Sequence, residues 1–175
     1  ELEARVHPAF VPVESLLASV RGAFNAVALQ SDALGTSLLY GQGAGAMPTG
    51  SAVVSDIIDL SRNIVAGSPG RVPLPPAESK VRLRTHDDIQ TGYYVRFTVK
   101  DEPGVLARIT AALGGRRISI AGVEQREHHA ESTPVSVVIV THPAREADVR
   151  AAIGEIDKYT TTCAPTRLIR IESLA

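Results

Sequence analysis

The chain has 175 residues and no Trp, one Met, three Phe and four Tyr, so aromatic residues make up only 4% of it. Without large rings, its core must be assembled from Val, Ile, Leu and Ala. Cys163 is the single cysteine, which excludes an internal disulfide and makes a reducing cytoplasm the expected setting. Lying in Thr-Thr-Cys-Ala-Pro with no His close by, it reads as a plain loop or strand residue rather than a nucleophile. The net charge of −1 leaves no basic excess, and with it no nucleic-acid footprint. No apolar run is long enough to span a bilayer, and no charged-then-apolar signal segment opens the chain. What is present is an ordinary globular balance, 44% hydrophobic and 21% charged, in a length that suits one domain or two small ones. The first residues, Glu1 to Arg5, carry no initiator Met and move at once into strand-like alternation, as in a fragment of a longer protein.

Composition shifts between Gly67 and Pro76, where Gly and Pro crowd the run Ala66-Gly-Ser-Pro-Gly-Arg-Val-Pro-Leu-Pro-Pro76. Pro lacks a backbone donor and fixes φ, so neither a helix nor a central strand survives there. The polar stretch Glu78 to Gln90 has no clear period. The expected organisation is therefore a first unit at 1–66, a linker at 67–90 and a second unit at 91–175. In the first unit, 4–13 alternates loosely as an edge strand marked by Pro8 and Pro12. Strands are expected over 23–30 and 36–40 around a turn at 31–35. From Pro48-Thr49 a helix begins, in which Val53, Ile57, Leu60 and Ile64 recur at helical spacing while Val54, Ile58 and Val65 add a second apolar side. Such a helix must be buried on two faces, yet about three strands are all this unit offers to cover it.

The second unit is cleaner. Tyr93, Val95, Phe97 and Val99 alternate with polar neighbours. A helix follows with Val105, Leu106, Ile109, Ala112 and Leu113 on one face, stopped by Gly114-Gly115 as a left-handed cap. Strands at 118–124 and 134–141, a helix at 145–158 and a strand at 167–171 complete the order βαββαβ, the ferredoxin-like arrangement, with helices on one face and the other left open. The fold class is α+β: a partial unit of antiparallel strands and a helix, then a ferredoxin-like domain.

Two motifs could carry chemistry. Gly41-Gln-Gly-Ala-Gly-Ala46 follows a strand and precedes a helix, and Gly41, Gly43 and Ala46 fit the dinucleotide pattern G-x-G-x-x-G/A. A Rossmann unit needs a further strand ending in an acidic residue, whereas this helix runs into the Pro-rich stretch with Asp56 and Asp59 on the helix itself. A loop that lets a ligand approach the backbone and a bare strand-to-helix turn both remain open. Asp101-Glu-Pro-Gly104 precedes a helix that Asp101 or Glu102 can cap, with Pro103 at its start. Unsatisfied N–H groups there could hold a carboxylate, although an ordinary capped helix is the favoured reading of these residues by themselves. His128-His129 sit in a polar hairpin over 125–132, His7, His86 and His142 are scattered, and no metal-ligand spacing is present, so no metal is expected. Arg116-Arg117 reads as a solvated edge, and Asp56/Asp59 as a solvated stripe. No Ser-His-Asp or Cys-His set is visible, and no catalytic residue is assigned.

The run Asn25-Ala-Val, Leu39-Tyr-Gly-Gln-Gly-Ala-Gly45 and Pro48-Thr-Gly-Ser-Ala-Val-Val-Ser-Asp56 resembles the end of the homoserine dehydrogenase catalytic domain, departing at Gly50, where Ala is commoner. Residues 95–171 resemble the ACT domain attached to many of these enzymes, through Asp101-Glu-Pro-Gly-Val-Leu-Ala-Arg-Ile109 and Ile118-Ser-Ile-Ala-Gly-Val-Glu-Gln125. The resemblance implies reduction of L-aspartate 4-semialdehyde to L-homoserine with NADH or NADPH by a longer protein, on the route to threonine, methionine and isoleucine. The family's nucleotide domain, catalytic Lys and substrate-binding acidic residues have no counterpart here, so this stretch alone is expected to bind no cofactor and transfer no hydride. By position, Gly43, Ala44, Gly45 and Thr49 would face the nicotinamide side of the cofactor. The strands before the helix would join a dimer sheet. ACT domains pair, which implies a homo-oligomer with an amino-acid effector, threonine by family, held by Asp101, Pro103, Gly104 and Val105, with Ile118, Ser119 and Ile120 contributed from a neighbouring subunit. No nucleic acid or membrane partner is implied. The alternative is a stand-alone ACT module for amino-acid binding or for assembly.

Overall fold

The computed structural model describes residues 1–68, 81–125 and 134–173. The described residues divide into two compact units: 13–68, and Glu1–Pro12 together with Val81–Ser173. The expected first unit at 1–66 is thus divided. Residues 1–12 fold with the later part of the chain, because their strand pairs there. The expected linker at 67–90 is also shorter on its C-terminal side. Residues 81–90 carry a bridge from Leu83 to Leu2, a 3-10 turn at His86–Asp88 and the first residue of a strand, while 69–80 lie outside the described residues.

In the larger unit, strand β1 (Ala9–Phe10) is all that forms of the edge strand expected over 4–13. It is followed within this unit by β4 (Gln90–Val99), helix α2 (Val105–Gly115), β5 (Ile120–Gln125), β6 (Val135–Thr141), the short β7 (Ala144–Arg145), α3 (Glu146–Ile156) and β8 (Thr162–Ile171). The sheet order is β1-β8-β4-β6-β5, with β7 on the end of β4. The ferredoxin-like order is intact, and β1 is added parallel to β8 through Ala9↔Arg170 and Phe10↔Ile171. Period-2 alternation aims Tyr93, Val95, Phe97 and Val99 of β4 and Val135, Val137 and Ile139 of β6 at the helices. There they meet Val105, Ile109, Ala112 and Leu113 of α2 and Val149, Ala152 and Ile156 of α3 in one core. Tyr94, Arg96, Ser136 and Val138 take the other, open face.

Helix α2 does not stop at its glycines. Gly114 and Gly115 form its last turn, and Arg117 takes the left-handed conformation at φ 59°. The N–H of Ile118 reaches the Leu113 carbonyl (3.1 Å) and that of Arg117 the Gly114 carbonyl (2.9 Å). This is the double-bonded helix stop that glycine normally supplies, closed by the buried Ile118–Leu113 pair. The start of α2 differs as well. Its cap is Gly104 at φ 89°, without a side-chain bond, so Asp101 and Glu102 do not cap and Pro103 lies in the turn before the helix.

In the smaller unit, β2 (Phe24–Ser31) and β3 (Gly35–Gln42) make a hairpin paired from Phe24↔Gln42 to Ser31↔Gly35. Helix α1 runs from Ala46 to Val65, three residues earlier than Thr49 predicts. No residue of α1 is buried, and Ile57 and Ile64 are 57% and 77% exposed. The expectation of burial on two faces is not met among the described residues. Two strands are too little surface to cover two apolar helix faces, since 4–13 pairs in the other unit. No helix among the described residues is long and apolar enough to cross a membrane, which says nothing of a β-barrel.

Candidate functional site

Two places bear on function, one in each unit. In the smaller unit Gly41 and Gln42 belong to β3 and Ala46 to α1, so the loop proper is Gly43 to Gly45. It is fastened from both sides. The N–H groups of Gly43 and Ala44 both donate to the carbonyl of Ala23 (3.2 and 3.3 Å), and the Thr49 hydroxyl donates to the Gly43 carbonyl (3.2 Å). Gly45 caps α1 at φ 124°, a conformation L side chains rarely adopt. A Cβ at Gly43 would stand 1.8 Å from the Asn25 amide nitrogen, so Asn25 lies directly on that glycine.

This geometry narrows the chemistry. The N–H groups of Gly43 and Ala44, spent on Ala23, are not free to cradle a phosphate as a dinucleotide loop does. The chain continues from α1 into the Gly/Pro-rich run and the next described strand, β4, belongs to the other unit, so the sequence fit to the Rossmann pattern has no Rossmann context. What remains is an exposed loop with almost no side chains of its own, covered at Gly43 by Asn25. Gly43, Ala44, Gly45 and Thr49 do converge. Beside them Phe24 and Tyr40 stack at 5.0 Å with rings 5° apart, stiffening the open end of the hairpin.

In the larger unit Asp101, Pro103 and Gly104 are exposed at the start of α2, while Val105 is buried in the core. Asp101 accepts a hydrogen bond from the Gln125 side chain at the end of β5 (3.3 Å), tying this loop to that edge of the sheet. Ile118 and Ile120 do not present themselves as expected. Ile118 is only 4% exposed within the core and Ile120 packs against it, leaving Ser119 as the exposed member of the trio. Ser119 also accepts the His142 N–H through its carbonyl (2.9 Å). The His128-His129 hairpin lies outside the described residues. Among the described residues no group of three or more His, Cys, Asp or Glu side chains converges to hold a metal ion.

Sequence reading missed one polar cluster altogether. Glu146, the first residue of α3, has no exposed surface, yet it is charged. Arg170 of β8 donates to it through Nε (2.6 Å) and Nη2 (2.5 Å), Arg150 through Nε (2.7 Å), and the Tyr93 hydroxyl lies 3.4 Å away. Burial pushes its carboxyl up, but the hydrogen bonds and charges of Arg170 and Arg150 outweigh burial and bring it below the ordinary value. The i,i+4 spacing of Glu146 and Arg150 was a visible signal, though one usually read as a surface pair.

A family description for homoserine dehydrogenase matches residues 1–58 and one for the ACT domain matches 93–160. The homoserine dehydrogenase of Neisseria gonorrhoeae is 41% identical over 99% of this chain and 40% of its own length, and that of Mycobacterium tuberculosis is 38% identical over 98% and 39%. The crystal structure of a homoserine dehydrogenase from Thiobacillus denitrificans superposes with a TM-score of 0.87 at 38% identity, covering 99% of this chain and 39% of that one. Fold and site together define a two-unit α+β chain in which a glycine-loop hairpin and helix are joined to a βαββαβ ACT domain. The chain belongs to the homoserine dehydrogenase family and corresponds to its C-terminal portion. It spans about two fifths of the length of the relatives it matches.

Proposed function

We propose that the protein to which this chain belongs reduces L-aspartate 4-semialdehyde to L-homoserine with NADH or NADPH in the cytoplasm, and that the ACT unit senses an amino-acid end product, threonine, for feedback control. The cofactor's nicotinamide supplies the hydride. Gly43, Ala44, Gly45 and Thr49 border that end of the pocket. Their part is to let a flat ring approach the backbone and to hold the loop's shape through Thr49 and Ala23. No group among the described residues is assigned a proton-moving role on the substrate, and residues 1–175 alone are expected to be inactive and to hold no cofactor.

The observation that carries the sensor reading is the exposed Asp101–Gly104 start of α2, bound through Gln125 to β5. Strand β1 covers the β8 edge, and among the described residues β5 pairs only with β6. A second copy would therefore add to the sheet at β5 and bring its own residues to the Asp101 loop, giving a homo-oligomer with effector sites at the interface. An effector works only by binding one conformational or assembly state better than another, with a typical coupling of about 1–3 kcal/mol. Calorimetric titration of the chain with L-threonine, against L-serine, L-isoleucine and L-methionine, tests this. Saturable threonine binding supports the sensor, and binding of another of the four changes the effector. No heat with any of them overturns the sensor reading for this chain and favours the ACT unit as an assembly module.

A further inference from the structure

The open face of the ACT sheet carries two arginines side by side. Arg167 of β8, Arg96 of β4, Val138 of β6 and Glu124 of β5 form one row across four strands, through the register pairs Arg96↔Arg167, Arg96↔Val138 and Glu124↔Val138. The flanking residues Val95, Phe97, Val137, Ile139 and Leu168 pack in the core, so period-2 alternation turns this row away from the helices. Like charges directly opposite each other on a sheet repel. Both arginines are exposed, and among the described residues neither forms an ion pair.

The row borders a concavity. Tyr94, Arg96, Glu124, Ser136 and Val138 line a groove of about 440 Å³. That lies within the ~300–1,000 Å³ of small-molecule sites. Tyr94 and Ser136 bring hydroxyl groups to it, and the Tyr94 ring is held edge-on against Phe10, ring centres 5.1 Å apart. Neighbouring strands lie ~4.8 Å apart, so Arg96 and Glu124, with Val138 between them, stand about 9.6 Å apart at the backbone. A carboxylate on the guanidinium and an ammonium on the carboxylate each take up about 2.8 Å of hydrogen bond. The remainder, about 4 Å, suits the short covalent span from ammonium to carboxylate in an α-amino acid. Arg167 adds a second positive charge beside Arg96. Two cations and one anion complement a ligand with two carboxylates and one ammonium.

We propose that this groove is a binding site for an acidic α-amino acid. Arg96 takes the α-carboxylate, Arg167 the side-chain carboxylate and Glu124 the ammonium, with the hydroxyls of Ser136 and Tyr94 completing the hydrogen bonds. An ionised carboxylate accepts several donors at once, so Glu124 receives the ammonium in addition to its contact within the chain. The site is separate from the Asp101 loop and does not rest on the sensor reading above.

The test is a two-dimensional NMR titration of the full 175-residue chain with L-aspartate, against succinate, which lacks the ammonium, and L-alanine, which lacks the second carboxylate. The expected result is saturable shifts at the Glu124, Ser136 and Val138 amides and the Arg96 side chain, with L-aspartate bound roughly tenfold tighter than either comparator. Arg96→Gln should weaken L-aspartate by roughly tenfold or more while the core amides of Ile109 and Val149 keep their positions. Glu124→Gln should remove the preference for L-aspartate over succinate and leave succinate binding intact. The absence of saturable shifts at these residues overturns the proposal, as does equal binding of L-aspartate and succinate by the parent, or Arg96→Gln binding as the parent does. Shifts confined to Asp101 and Gly104 also overturn it and assign the ligand to the effector loop instead.

Discussion

Glu146 and Arg170 form a two-point ion pair in which the carboxylate is wholly buried and the guanidinium nearly so, at 13% exposure. The pair joins the first residue of α3 to the strand that β1 covers, so it couples helix packing to the sheet edge.

Removing one partner leaves a buried charge with incomplete compensation. Arg170→Ala is expected to destabilise the ACT unit by about 3–5 kcal/mol, at the lower end because Arg150 remains. Glu146→Leu with Arg170→Leu should cost much less than the single change, since no unpaired charge remains. Urea unfolding followed by circular dichroism separates the two. Equal losses would show that the pair's value lies in packing alone.

The same cluster sets the pH limits of stability. The folded pKa of Glu146 lies below its ordinary 4.5, so its stabilisation is complete above that value and disappears as pH falls through the lower folded value. Tyr93 moves the other way. Burial first, then the charge and hydrogen bond of Glu146, push its pKa from 10.0 up to about 12. Its contribution is whole below pH 10 and is lost as pH rises through about 12. Thermal unfolding across pH should fall off at both ends, and Tyr93→Phe should remove the phenolate absorbance that titrates near 12.

Left-handed residues give the third expectation, with opposite signs at two helix ends. Arg117→Gly relieves a left-handed side-chain residue at the end of α2. A gain of about 0.5–1 kcal/mol is expected after the extra chain entropy of glycine is subtracted. Gly45→Ala imposes that strain at the start of α1 and adds a Cβ 3.3 Å from Pro48 Cδ, for an expected loss of roughly 1–2 kcal/mol. Differential scanning calorimetry reads both. A loss at Arg117→Gly would mean that the Arg117 side chain contributes more than its backbone costs.

The ferredoxin-like unit was readable because its signals are local. Alternation in Tyr93, Val95, Phe97 and Val99 and helical spacing in Val105, Ile109 and Leu113 each predict one buried face, and the core uses those faces. Gly43, Ala44, Gly45 and Thr49 could be nominated only through the family resemblance, since the glycine motif by itself fits a bare strand-to-helix turn as well as a ligand loop. Ile118 was nominated for a shared pocket but serves its own core, since an apolar residue beside a helix stop gains most by closing that stop.

The residues themselves decide which segments are strands and helices, where the Gly/Pro-rich break falls and which family the chain resembles, because each depends on neighbours a few positions apart. The division of the units, the pairing of β1 with β8 and the burial of Glu146 arise only on folding. Arg5 meets Glu172 across 167 positions and Arg170 meets Glu146 across 24. No local period encodes such pairings. They exist because the sheet, once assembled, presents a free edge to be covered and a buried carboxylate to be neutralised.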